Sequence, residues 1–285
     1  MSESFDPRLT PARPDLAAEH LRGIVRAERY KQGTLREIIA NRVGLTRSGE
    51  GSPLETELLL GERFTVYEEK GHLAWGQAEL DGYVGYISRF ALGEVGPGPT
   101  HRVAVPASRG YEAPSGKALS PWPLSLGSRL RVVEQAERFS EIQFGLHTAF
   151  VPTAHIRSID ERVADFVAVA EQFVGVPYVW GGRTSVGLDC SALVQLSLAE
   201  AGIRVPRDSD QQCASLGIQV GKSEALGATR RGDLVFWKGH VAIALDERRI
   251  IHANAFAMAV SIDEAIPFAR QVEASEGPVI AINRL

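Results

Sequence analysis

Cys190 ends the stretch Tyr178-Val-Trp-Gly-Gly-Arg-Thr-Ser-Val-Gly-Leu-Asp-Cys190, in which a glycine-rich loop runs straight into a helical pattern. A cysteine in the first turn of a helix sits among backbone N–H groups that have no intrahelical partner, at the positive end of the helix dipole. Both effects favour thiolate over thiol. The same N–H groups can hold an oxyanion formed on an attacked carbonyl. Cys190 is therefore a candidate nucleophile, and the competing reading is a buried structural thiol.

A nucleophilic thiol needs a base, and the base needs a partner that orients it. His240 and His252 stand twelve residues apart, each at or near the end of an apolar, strand-like run. Two antiparallel strands joined by the polar turn Asp246-Glu-Arg-Arg249 would set them side by side, His240 as base and His252 holding its ring. The competing reading makes the two histidines metal ligands with Cys190. Neither zinc-finger spacing nor a His-Glu-x-x-His motif accompanies them, and the expectation is no metal and no cofactor. The second cysteine, Cys213, lies in a helical segment without a flanking motif and reads as a core thiol. Gly217-Ile-Gln-Val-Gly-Lys-Ser223 has three residues between its glycines where a phosphate loop has four, and reads as a surface turn.

These residues need elements to position them. Val163, Phe166, Val167, Ala170, Phe173 and Val174 make one helical face over 160–174, with Asp160 as N-cap and Gly175 as C-cap. Helices are expected over 190–201 and 208–216. Strands are expected over 233–237, 240–245, 250–253 and 258–262, followed by a helix over 263–272 and a strand over 278–283. Helices first and an antiparallel meander afterwards give an α+β catalytic domain over 159–285.

The N-terminal half has another character. Residues 1–32 read as a loose polar tail followed by a short amphipathic helix over 15–30, built on Leu16, Ala17, Leu21, Ile24 and Val25. Short strands then alternate with glycine turns. Leu60-Gly-Glu-Arg-Phe-Thr-Val66 recurs 66 residues later as Leu126-Gly-Ser-Arg-Leu-Arg-Val132. Tyr86-Ile-Ser-Arg-Phe-Ala-Leu92 recurs 64 residues later as Phe150-Val-Pro-Thr-Ala-His-Ile156. One small β unit used twice accounts for both, against coincidence between apolar strands. The units are placed at 33–96 and 97–158, each a small barrel. Trp75, Tyr83 and Tyr86 could form a ligand surface or belong to the barrel core.

The repeated unit resembles bacterial SH3-like domains. Tyr178-x-Trp-Gly-Gly, Asp189-Cys190-Ser191, Pro206-Arg207-x-Ser209-x-x-Gln212, Gly232-Asp-Leu-Val-Phe, His240-Val and Ile251-His252-Ala closely resemble the NlpC-type cell-wall cysteine peptidases, which have a papain-like fold. That resemblance implies Cys190 as nucleophile, His240 as base, His252 as third polar residue and the Tyr178 hydroxyl in the oxyanion hole. It places Asp189, Ser191, Arg207, Ser209 and Trp180 at the peptide substrate. Ala192 and Ala242 stand where the family often has glycine, which removes no reacting group. Two SH3-like domains ahead of such a domain resemble cytoplasmic enzymes that process released cell-wall peptides, in which the first SH3-like domain recognises the free amine of an N-terminal L-alanine. Glu57 and Tyr83 are the candidates here for that clamp, against a solvated strand residue and a rim aromatic.

Composition agrees with a folded chain. Of 285 residues 44% are hydrophobic and 23% charged, and the net charge of −4 offers no general attraction to nucleic acid or anionic lipid. Two cysteines exclude a disulfide scaffold. No secretory signal or membrane span is visible, so the expected location is the cytoplasm. The leading expectation is a cysteine endopeptidase cutting the γ-D-glutamyl–diaminoacid (diaminopimelate) bond of small murein peptides. The alternatives are a related cysteine amidase or acyl transferase acting on another small amide, and a non-catalytic cell-wall or protein-binding module.

Overall fold

The computed structural model describes residues 5–285, which divide after Asp160 into two compact units. The first unit is all β. Strands β1 (Thr34–Ile38), β2 (Arg42–Thr46), β3 (Leu54–Leu59), β4 (Arg63–Lys70), β5 (Leu73–Ala78) and β6 (Val84–Ser88) lie in the order β3-β2-β6-β5-β4-β1, with Leu92–Gly93 beside β1. Their inward residues Ile38, Leu45, Leu58, Phe64, Ala74, Tyr83 and Ile87 form one core. A second sheet follows, made of β7 (His101–Val103), β8 (Arg129–Gln135), β9 (Phe139–Phe144), β10 (His147–Pro152) and β11 (Ile156–Ser158) in the order β10-β9-β8-β7-β11. Trp75 and Tyr83 are buried in the first unit.

The recurring Leu-Gly motif is the same turn in both barrels. Gly61 and Gly127 take φ of +76° and +86°. Gly61 N–H donates to the carbonyl of Ile38 (2.8 Å), and Gly127 N–H donates to that of Val103 (3.0 Å). A side chain from the fourth turn position accepts from the backbone in each, Glu62 from Leu59 N–H and Ser128 from Ser125 N–H. The first of these turns also joins the barrels. Arg129 N–H donates to the Leu60 carbonyl at 2.8 Å, and Leu60 is packed into the core of the second barrel with Val103, Leu130 and Ile142.

The expected N-terminal helix is absent. Leu16–Ala18 is a short strand paired in parallel with Arg29–Lys31, with a 3-10 turn at Glu19–Leu21 between them. Gly23 adopts φ +81°, which a helix cannot hold. Leu16, Ala18 and Leu21 instead bury against Tyr67, Trp75 and Val84, so tertiary burial overrides the local pattern. The preceding segment, expected as loose, is also attached. Val84 N–H donates to the Arg8 carbonyl, and the Arg13 guanidinium lies 4.3 Å over the Trp75 ring. Residues 1–4 lie outside the described residues.

The second unit is α+β. Its sheet contains β12 (Ile218–Gly221), β13 (Leu234–Trp237), β14 (His240–Ala244), β15 (Arg249–Asn254), β16 (Ala259–Glu264) and β17 (Ala281–Arg284), in the order β12-β17-β13-β14-β15-β16. The helices are α1 (Phe166–Glu171), α2 (Cys190–Glu200), α3 (Ser209–Ser215) and α4 (Ala265–Glu276). The segment expected as a turn at 217–223 contributes β12, an edge strand paired with β17. The first helix is shorter than expected and is capped by Asp165, whose carboxylate accepts from Val167 and Ala168 N–H, not by Asp160. Val163 N–H is drawn off to the Glu200 carbonyl at the end of α2, which holds the preceding residues out of the helix.

Helix α2 is apolar on nearly all sides and packs against β14 and β15, as a central helix must. Its N-terminus is anchored by a buried ion pair. Arg207 is 1% exposed and donates to both carboxylate oxygens of Asp189, at 2.9 and 2.6 Å. Asp189 also accepts from Ala192 N–H as N-cap, from the Ser191 hydroxyl, and from Gly181 N–H in the glycine loop. Gln212 on α3 donates to the Ser191 and Pro206 carbonyls and closes the arrangement.

Two outcomes follow for stability. A methyl group at Gly61 would lie 2.2 Å from the Arg129 carbonyl oxygen at an unfavourable φ. Gly61→Ala should therefore destabilise the first unit by clearly more than Gly71→Ala, which carries only the cost of its own φ of +61° (~1 kcal/mol) and meets no neighbour, read by urea unfolding; equal losses would show that the Arg129 contact costs nothing. Arg207→Met should cost about 3–5 kcal/mol because it strands the Asp189 charge. The double variant with Asp189→Asn should recover part of that loss, and additive losses would show that the pair is not coupled.

Candidate active site

The glycine loop, the start of α2 and the strand pair β14–β15 converge on one cluster. Cys190 is the first residue of α2 and is buried. Backbone N–H groups of Ser191 and Val241 hydrogen-bond its sulfur, so the thiol lies against the peptide that follows His240. The β14–β15 register pairs Ile243 with Ile251 and Ala244 with Ile250. Continued by one step, it sets His252 across from Ala242, diagonal to His240 on the same face. The rings meet there, with His240 Nε2 2.7 Å from His252 Nδ1.

Both imidazoles are enclosed by aromatic rings. Phe268 of α4 stands edge-on to His252 at 4.4 Å between centroids, and Trp237 lies 5.6 Å from His240. Burial, with His252 alongside, holds the His240 pKa down to about 3. Burial also pushes the Cys190 thiol up to about 12, reinforced by the adjacent Asp189 carboxylate. The two backbone N–H groups and Arg207 pull the other way and lose. Desolvation thus opposes the pull of the helix N-terminus toward thiolate.

Tyr178 is half-buried. Burial raises its hydroxyl to about 12, and the fields of Cys190 and Asp189 add to it, so it is a phenol within electrostatic reach of the cysteine. Its backbone N–H donates to the Met258 carbonyl, which ties the loop to the β15–β16 turn. Trp180 is 63% exposed, and with Phe256 and Met258 it offers apolar surface in this unit. Ser209 opens α3 and is partly exposed. Arg207 is buried and donates to Asp189 and Ser191, and Asp189 accepts in turn from the loop and the helix. Their part is to hold the loop and helix in place. Ala192 and Ala242 are fully packed, so these two positions are filled without strain. Cys213 is partly buried on α3.

Glu57 and Tyr83 belong to the first unit. Glu57 is buried on β3 and paired with Arg42, and the Tyr83 hydroxyl donates to Glu55 at 3.2 Å.

Three residues at the cluster escaped the sequence reading. Asp263 on β16 places Oδ2 3.1 Å from His252 Nε2. Asn254 sets its amide nitrogen 3.1 Å from the same atom. Glu276, at the end of α4, has its carboxyl pKa raised by burial and lies within the field of His252, with one oxygen buried and unbonded among the described residues. Asp263 and Asn254 stand on the strand pair that carries His252, and the register would have located them. Glu276 is brought in by a helix, and nothing local signals it.

Comparison with known proteins fits this geometry. Residues 175–269 match the NlpC/P60 family, and residues 45–92 match the bacterial dipeptidyl-peptidase SH3 domain. The γ-D-glutamyl-L-lysine dipeptidyl-peptidase of Bacillus subtilis is 23% identical over 232 residues, covering 73% of this chain and 75% of the relative. The protein of the same name from Bacillus cereus is 27% identical over 242 residues, covering 73% and 70%. The crystal structure of an NlpC/P60 family protein from Bacillus cereus shares the fold, with a TM-score of 0.74 at 20% identity over 88% of this chain and 99% of that one. A bacterial dipeptidyl-peptidase SH3 domain followed by an NlpC/P60 domain, with a cysteine at a helix start beside a histidine pair, makes this chain a cysteine peptidase of the NlpC/P60 type.

Proposed function

We propose that the protein hydrolyses the γ-D-glutamyl–diaminoacid bond of murein peptides that carry a free N-terminal L-alanine, and that it serves the recycling of released cell-wall peptides in the cytoplasm. The observation that carries the reading is the buried cysteine–histidine–histidine cluster, joined in one chain to an SH3 domain of the dipeptidyl-peptidase type. Relatives whose names specify a γ-D-glutamyl-L-lysine bond support the substrate class.

In this reading His240 takes the thiol proton as Cys190 Sγ attacks the γ-carbonyl carbon. The carbonyl oxygen becomes an oxyanion, held by N–H groups at the start of α2 and by the Tyr178 hydroxyl. Collapse breaks the C–N bond, and His240 gives the proton to the leaving amine. The product is an acyl-enzyme thioester and a free diaminoacid. Water, deprotonated by His240, then attacks the thioester, and the thiolate leaves and recovers its proton. The free amine of the substrate calls for a carboxylate. Glu57 and Tyr83, a buried acid and a buried phenol of the first barrel, are the residues assigned to it.

Cys190→Ala should lower turnover of L-Ala-γ-D-Glu-diaminopimelate at least about 10³-fold, by mass spectrometry of products. Retained turnover would remove the mechanism. The wild-type enzyme should cleave free-amine peptides and spare N-acetylated ones, whereas equal cleavage would point to a general amidase. Because burial pushes the Cys190 thiol up, its carbamidomethylation should be slower at pH 7 than that of free cysteine, and should rise about tenfold per pH unit up to pH 9. A fast rate that levels off below pH 7 would reveal a preformed thiolate–imidazolium pair instead.

A further inference from the structure

His252 Nδ1 faces His240 Nε2 across 2.7 Å, and only one proton fits between them. Which ring supplies it is decided at the far side of His252. There Nε2 meets two groups of opposite character, the Asp263 carboxylate at 3.1 Å and the Asn254 amide nitrogen at 3.1 Å. The Asn254 amide cannot turn over to offer oxygen, because its Oδ1 already accepts from Phe256 and Ala257 N–H at 3.0 and 2.8 Å. Its nitrogen also donates to the Ser261 hydroxyl at 2.7 Å, and that hydroxyl donates to Asp263 Oδ2 at 2.6 Å.

We propose that Asp263 is a positioning residue that selects the tautomers of both histidines and so leaves His240 Nδ1 unprotonated as the base. A carboxylate accepts a charge-assisted bond and outcompetes a neutral amide for the far nitrogen. His252 then carries its proton on Nε2 and presents a bare Nδ1. His240 must donate Nε2–H to it, which leaves the lone pair on His240 Nδ1. If Asn254 won, every step would reverse. His252 would be protonated on Nδ1, His240 Nε2 would accept, and the His240 proton would sit on Nδ1, where no base would remain. The arrangement is thus a two-way contest at one atom, with the carboxylate on the productive side. The Asp263 carboxyl is ionised at neutral pH, since the His252 contact and the Ser261 hydroxyl hold it below the usual range.

The proposal rests on the peptidase reading for its effect on rate, but its primary readout does not depend on activity. In wild-type protein with 15N-labelled imidazoles, NMR at pH 7 should show His252 and His240 both protonated on Nε2. Either ring protonated on Nδ1 would overturn the assignment without any variant. Asp263→Asn should hand the far nitrogen to amide donors and move both protons to Nδ1. With the melting temperature retained, kcat should fall about 10²- to 10⁴-fold while KM changes less than about twofold. Asp263→Glu, which keeps the charge, should restore the wild-type tautomers. Unchanged tautomers in Asp263→Asn would sink the proposal. Absence of murein hydrolysis by the wild type, with the expected tautomers seen, would instead overturn the peptidase reading and leave the tautomer assignment intact.

Discussion

The site depends on one buried contact, the two-pronged bond from Arg207 to Asp189. Asp189 has to do three jobs at once: cap the helix that begins with the nucleophile, grip the glycine loop through Gly181 N–H, and face Ser191. A bare carboxylate at that depth would be costly, and Arg207 makes it tolerable. Only arginine presents a planar fork that matches both carboxylate oxygens and leaves a further N–H for Ser191. The helix start that carries Cys190 hangs from this pair, while the histidines are aimed by the sheet, which also reaches Cys190 through Val241 N–H and Tyr178 through the Met258 carbonyl. The active site is therefore a meeting of two rigid supports, a pinned helix end and a strand register.

Charge is managed by exclusion rather than by attraction. The helix start offers N–H groups and a favourable dipole, yet the thiol is pushed up to about 12 and His240 held down to about 3 because both are out of water. Phe268 and Trp237 supply much of that enclosure. The same N–H groups that oppose this burial at the sulfur are free to favour negative charge developing on a carbonyl oxygen brought to the helix start.

Much of the cluster could be read from the chain. Cys190 announced itself by a glycine loop followed by an acid at a helix start, and the two histidines by strand-end positions with a short turn between them. The repeat was legible because Gly61 and Gly127 need a left-handed conformation, which leaves the same Leu-Gly signature in both barrels. The N-terminal segment misled because Leu16, Ala17 and Leu21 have helical spacing, and only the surface of Tyr67, Trp75 and Val84 shows why they lie extended. Arg207 is a different case. Its motif marked it as important but could not say whether it faced the substrate or the interior. Asp263 and Glu276 stayed silent, since a lone acid on a polar strand face or at a helix end is ordinary until the register or packing brings it to a histidine.

The enclosed thiol also bears on how long such an enzyme lasts. Peroxide attacks thiolate far faster than thiol, and the sulfenic acid it forms is the first rung toward irreversible loss. A thiol that burial pushes above its usual range presents less thiolate to oxidants than an exposed cysteine does. Cys213, the only other sulfur of its kind, is partly buried and has its thiol raised as well, which leaves it a poor partner for forming a disulfide. Burial that looks like a handicap to a nucleophile is thus its protection against oxidative ageing.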